Sequence, residues 1–254
     1  ASGQIASLAV VMSTRTEGYT YDPPSNRLAA GSMVLDRHRL PVLGYDRRRE
    51  LSSTTQRRQR RLPPRLPMFE QPDRFASATD AGLADLELHI RVPENIVVAA
   101  SGVRMNERVQ DGIREVDFQQ RKAPLQWLVT AGRLQQRVAP WLAPDGHRTD
   151  IVIQHSPLHD FNQARMRATV EDALEMFSQR FGPYSRRDLQ LVEIAQFARE
   201  ESIPAPSTPG AGGLVALPER AGWLHDYRRE PGYDLLTYVL SREVARTWWG
   251  QIAG

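Results

Sequence analysis

From Ala84 to Val92, apolar and polar residues alternate one by one: Leu86, Leu88, Ile90 and Val92 against Asp85, Glu87, His89 and Arg91. A period of two marks a strand with one buried and one wet face. Such a strand requires a sheet and a second layer to cover it. The neighbouring stretches supply both. Pro93-Glu94-Asn95 reads as a turn, Ile96 to Val103 as the next strand, Gly112 to Gln119 as another, and Leu125 to Val138 as one or two more. Asp111-Gly112 is a hairpin signal. Upstream, Ile5 to Met12 and Leu28 to Leu35 read as strands separated by the turn-rich segment Tyr21 to Asn26. Short strands in series predict an antiparallel sandwich or saddle. His89 falls on the polar face of its strand and reads as a surface residue.

The period then changes. Asn162 to Phe181 places Met166, Val170, Ala173, Leu174 and Phe177 on one helical stripe and Arg165, Arg167, Glu171, Glu175 and Arg180 on the other face. Asp160 or Asn162 is the candidate N-cap, and Gly182-Pro183 ends the helix. Gly232 to Gly250 reads as a second helix buried through Leu236, Val239, Leu240, Val244 and Trp248. Between the early strands and Ala84 lies an irregular segment, residues 44–72, with Pro63, Pro64, Pro67, Pro72 and the cluster Arg57, Arg58, Arg60, Arg61, Arg65. Proline removes backbone donors and disfavours helix, so this segment is expected to lie across a surface rather than in a sheet, with disorder as the alternative.

Composition narrows the function classes. With 254 residues the chain can bury a real core as one large domain or two smaller ones. Its 41% hydrophobic and 25% charged residues are those of a soluble globular protein. The apolar run at Ile5 to Met12 is too short to cross a bilayer. The absence of an initial Met and of a signal peptide suggests a piece of something longer. The absence of cysteine excludes disulfides and thiolate metal sites. The net charge of +3 is small and scattered except at Arg57 to Arg65. That cluster could grip phosphates or lipid, yet it lacks the interleaved aromatics of a single-strand binder and reads as a solvated loop; no nucleic-acid partner is expected.

The stretch Ser241-Arg242-Glu243-Val244-Ala245-Arg246-Thr247-Trp248-Trp249-Gly250 bears on chemistry most directly. With His at 242 and 246 it would read H-E-V-A-H-T-W-W-G, the helix that holds zinc through two imidazoles and keeps a glutamate as general base. The frame resembles that of the aminopeptidase N family of zinc metallopeptidases. Other segments follow the same order. A-D-L-E-L-H-I-R-V-P, V-A-A-S-G and the Asp-Gly hairpin resemble the family's amino-terminal β-domain. Phe181-Gly182-Pro183-Tyr184 and Leu189 to Glu193 resemble the turn and strand opening its catalytic lobe. L-G-Y-D-R-R-R-E-L and R-R-L-P-P-R resemble the version fused to bacterial ABC transporter permeases. The resemblance implies an α+β fold: a β-sandwich or saddle over residues 1–153, then the beginning of a thermolysin-like α/β lobe over 154–254.

It also implies a lost site. The positions of the two zinc ligands carry Arg242 and Arg246, and a guanidinium has no lone pair to offer and stays charged. Glu243 keeps the general-base position without a metal-bound water to act on. The Gly-x-Met-Glu-Asn motif that holds the substrate amine maps to Ile203–Val215, which carries no acid; Glu200, Glu201 and Glu219 flank it. The family's third ligand and its tyrosine would fall beyond Gly254. No cofactor is therefore expected, zinc being the family's. Glu243 is instead expected to pair with Arg242, Arg246 or both. The reading that follows is a peptide- or partner-binding, extracytoplasmic part of a larger membrane protein, with Trp248 and Trp249 as exposed surface for self-association. The alternative is an active metallo-aminopeptidase whose ligands come from His225, His155 or His159, or from beyond Gly254.

Overall fold

Three sheets and a helical layer are stacked in an order set by which strand faces are apolar. The computed structural model describes residues 9, 11, 27–29, 32–36, 51–64, 84–123, 127–194, 212–219, 222–224, 226 and 234–249. The first sheet contains β1 (Arg27–Ala29), β2 (Ser32–Asp36), β4 (Val97–Ala100) and β7 (Leu128–Gly132), in the order β1-β2-β7-β4. The second is β3 (Ala84–Pro93), β6 (Ile113–Ala123) and β5 (Val103–Gln110), all antiparallel. The third runs β11 (Leu214–Pro218), β10 (Asp188–Ile194), β9 (Arg148–His155), β8 (Gln135–Leu142). Here β8 pairs antiparallel with β9, while β9, β10 and β11 run parallel. Two long helices, α2 (Gln163–Phe181) and α3 (Leu235–Trp249), cover the third sheet. The fold is α+β with a β-rich amino-terminal part.

Strand alternation explains the stacking. In the first sheet Val34, Ala99 and Leu128 point one way and pack on Val192, Ile194, Leu214 and Ala216 of the third sheet. Their neighbours Val98, Ala100, Val129 and Ala131 point the other way and pack on Val116 and Phe118, with Leu86, Leu88, Ile90 and Val92 half-buried beside them. The first sheet is thus covered on both faces, and β7 is buried along its whole length. The far face of the third sheet, through Ile151, Ile153, Leu189, Leu191, Val215 and Leu217, receives the stripes of α2 and α3. Those stripes are Met166, Val170, Ala173 and Leu174 on α2 and Leu236, Val239, Leu240, Val244 and Trp248 on α3, every residue 8% exposed or less.

Local signals account for the ends of these elements. Asp111 and Gly112 join β5 to β6 with φ of 52° and 74°, the double left-handed pair that a two-residue hairpin of matching twist requires. Gly182, at φ 96°, stops α2. Asn162 occupies the N-cap position of α2 but makes no side-chain cap; its amide instead donates to the carbonyls of Gly222 and Trp223 at 2.6 and 3.1 Å.

Several expectations are corrected. The stretch 28–35 is a hairpin rather than a single strand, β1 pairing with β2 through Ala29↔Ser32. The stretch 96–103 divides into β4 and the start of β5, with Ser101-Gly102 turning between them; a side chain at Gly102 (φ 103°) would lie 2.6 Å from the Gln119 carbonyl oxygen. The irregular segment contains a short helix, α1 (Thr54–Gln59). Ser53 caps it, and its prolines fall after it. Arg57 is buried and donates to the carbonyls of Leu51 and Pro63, so it closes its own loop rather than waiting for a phosphate. The last helix starts at Leu235, where Asp234 accepts the Thr237 N–H at 3.1 Å. Trp248 is 5% exposed, against Tyr184 and Phe177, and offers no free surface. Apart from Ala9 and Val11, the expected strand Ile5 to Met12 lies outside the described residues, as do Arg65 and the side chain of Trp249.

Candidate functional site

The inner half of α3 is apolar, so Glu243, one residue before the stripe residue Val244, is carried below the surface with it. Its relative exposure is 0%. Oε1 accepts from Arg242 Nε at 3.1 Å and Nη2 at 2.9 Å, and Arg246 Nη1 stands 3.5 Å away. Oε2 is buried and has no hydrogen-bond partner among the described residues. The two arginine side chains are 34% and 42% exposed, and the Arg242 guanidinium lies 5.9 Å over the Tyr238 ring. The expected pairing of Glu243 with both arginines is therefore present. Near the end of the same helix Tyr184, fully enclosed and 4.9 Å from the Trp248 ring, has its phenol pKa pushed up to about 12 by burial.

Zinc does not fit this helix. The groups flanking Glu243 are guanidiniums, cations without a free electron pair to offer a metal, and both stand at Glu243 Oε1. What the arrangement offers is a neutralised carboxylate below and two half-exposed guanidiniums above. Guanidinium forks of this kind bind carboxylates in bidentate fashion.

A second group of titratable side chains gathers at the carboxyl ends of the parallel strands. Glu193, next to last in β10, is 3% exposed. Its Oε2 accepts the Ser156 N–H at 2.8 Å, and its Oε1 meets His159 Nδ1. Glu219, immediately after β11, brings a carboxylate oxygen to this pair, and one ligand atom from each residue lies within 4.8 Å of the others. The surrounding scaffold is firm. His155, fully buried, stacks on Trp223 with ring centroids 6.0 Å apart, and Gln163 Nε2 lies 2.8 Å from its Nε2. Trp223 donates Nε1–H to the Leu217 carbonyl, and Leu224 N–H donates to the Glu219 carbonyl.

The sequence-predicted residues thus fall into two groups. Glu243, Arg242 and Arg246 come together as expected. His155 and His159 lie by the second group, where only His159 offers an atom to the cluster. His225, Glu200, Glu201 and residues 203–211 lie outside the described residues. Sequence reasoning missed Glu193. The signal that could have found it is positional: an acid at the end of an apolar strand, where ligands of parallel sheets gather. His89 is 75% exposed beside Asp117, as a surface residue.

No protein-family model matches the chain, and no curated protein matches it in sequence. Among solved structures, a point mutant of the M1 zinc metallopeptidase from Deinococcus radiodurans superposes with a TM-score of 0.50 at 17% identity, covering 70% of this chain and 38% of that one. The M1 zinc metallopeptidase from the same organism gives 0.48 at 18%, over 66% and 35%. Legionella pneumophila aminopeptidase A in complex with aspartic acid gives 0.49 at 18%, over 66% and 19%. The chain spans well under half the length of these proteins. At such identities the likeness is one of fold: this chain has a fold like that of the M1 zinc metallopeptidase.

Proposed function

We infer that this chain is an aminopeptidase-like domain that binds a peptide or a protein partner without hydrolysing it. One observation carries the reading. The glutamate in the general-base position is fully buried and held by Arg242 and Arg246, the residues that stand where the imidazoles of a zinc helix would be. The half-exposed guanidiniums favour a ligand bearing a carboxylate, such as an acidic side chain or a peptide carboxyl terminus. The segment order Leu43-Gly44-Tyr45, then Leu62-Pro63-Pro64-Arg65, then the β-domain supports placement in the extracytoplasmic part of a membrane transporter-type protein. Among the described residues no helix is long and apolar enough to cross a membrane.

The reading is tested by incubating the protein with aminoacyl arylamides in excess zinc, beside peptide titrations followed by tryptophan fluorescence. The expected result is no turnover, with acidic peptides bound more tightly than basic ones and the difference lost in Arg242→Ala/Arg246→Ala. Zinc-dependent turnover would overturn it and favour a metallo-aminopeptidase whose ligands lie outside α3; the grouping of His159 with Glu193 and Glu219 is the observation on that side.

A further inference from the structure

We propose that His159, Glu193 and Glu219 form a site for a divalent transition-metal ion, separate from helix α3. The ligand atoms are already gathered, one from each residue within 4.8 Å of the others. Their chemistry is one imidazole nitrogen and two carboxylates, a set that suits zinc and its first-row neighbours and, through the imidazole, disfavours magnesium and calcium.

The charge balance points the same way. Glu193 is 3% exposed, and a carboxylate so far from water requires a cation beside it. Elsewhere among the described residues arginine is the usual partner of an acid: Asp85, Glu87, Glu107, Glu115, Asp234 and Glu243 each pair with at least one. Among the described residues no arginine or lysine pairs with Glu193 or Glu219; His159 is the one basic group at Glu193. Two carboxylates and a single imidazolium would leave a net negative charge, and a divalent ion held by a neutral imidazole brings the three groups to neutrality. The ion would be held by His159 Nδ1 and Glu193 Oε1, two atoms that already meet.

Position is the third argument. His159 follows β9, Glu193 ends β10 and Glu219 follows β11, so all three sit at the carboxyl edge of the parallel strands. Ligands of open parallel sheets collect at that edge. The Ser156 N–H fixes the second oxygen of Glu193, as outer-shell donors orient metal-binding carboxylates. Three protein ligands leave further coordination positions open for water or a partner's carboxylate. The site is independent of the non-hydrolytic reading, since a metal held here can join three strand ends without catalysing anything.

The test uses the purified chain, stripped with chelator, equilibrated with zinc chloride, desalted and analysed for zinc, with thermal melting recorded before and after. Wild type is expected to retain about one zinc per chain and to melt at higher temperature with zinc. Glu219→Gln and His159→Ala, both changes at half-buried positions that spare the buried Glu193, are expected to fold, to lose the bound zinc and to lose the shift in melting. His89→Ala, on the far sheet, is expected to retain the zinc. A wild type that keeps no zinc, or folded Glu219→Gln and His159→Ala proteins that keep as much as wild type, would overturn the site. Arylamide turnover by the zinc-loaded protein would overturn the non-hydrolytic reading and leave this site standing.

Discussion

Among the described residues two glutamates are almost wholly buried, and their surroundings neutralise them in opposite ways. Glu243 is 0% exposed and has two guanidiniums on one oxygen. Glu193 is 3% exposed and has one imidazole, one backbone N–H and a second carboxylate nearby. The first carries a surplus of positive charge. The second carries a surplus of negative charge and invites a metal ion. The aminopeptidase-like fold therefore does not fix where cation chemistry occurs. Two arginines on α3 close one corner of the lobe, and three strand ends gather ligand atoms at another.

The largest effect is expected from Trp223→Ala, which removes the ring under His155 and should loosen the Glu193 corner. Trp223 is fully buried, so the change is predicted to lower unfolding free energy by about 3–5 kcal/mol. Urea unfolding measures this, and an effect below about 1 kcal/mol would mean that the corner is not held by this packing.

Tyr184 probes the packing against Trp248 near the end of α3. Its pKa is raised from 10.0 to about 12 by burial, so the folded state keeps the phenol protonated where the unfolded chain ionises. The resulting stabilisation is complete below pH 10 and is lost as pH rises from there to about 12, a decline of roughly 3 kcal/mol. Denaturant titrations across that range should show the decline in wild type and not in Tyr184→Phe.

Next in size is the Glu243 pair itself. Arg242→Ala/Arg246→Ala leaves the carboxylate buried without a cation and is predicted to destabilise by about 2 kcal/mol, less than for a fully buried pair because both guanidiniums are partly solvated. Adding Glu243→Leu to that variant should recover most of the loss. Without recovery, the arginines would be acting through packing rather than charge. The smallest effect is Asp234→Ala, which removes the α3 cap and should cost about 1 kcal/mol at neutral pH.

Much of this architecture is legible in the sequence because it depends on local periods. The apolar stripes of α2 and α3 are the residues that spacing selects, since a helix repeats its core face every third or fourth residue. The β3 alternation and the Asp111-Gly112 turn are equally local. Contacts between distant segments are not legible in this way. Nothing near Val98 or Ala99 indicates that both faces of β4 are covered, because the covering strands come from β6 and from β10 and β11. The hairpin at 27–36 and the short helix after Ser53 depend on turns and caps too brief to change a periodic pattern. The site residues divide along the same line. Arg242, Glu243 and Arg246 share one helix and a recognisable frame. His159, Glu193 and Glu219 come from three separate strand ends, with no spacing that a motif could record.

The most direct test of the contrast is a crystal grown with zinc, with anomalous difference maps recorded at the zinc edge. The account predicts an anomalous peak between His159, Glu193 and Glu219 and none beside Glu243. A peak on α3 at Glu243, with Arg242 and Arg246 swung away, would contradict it.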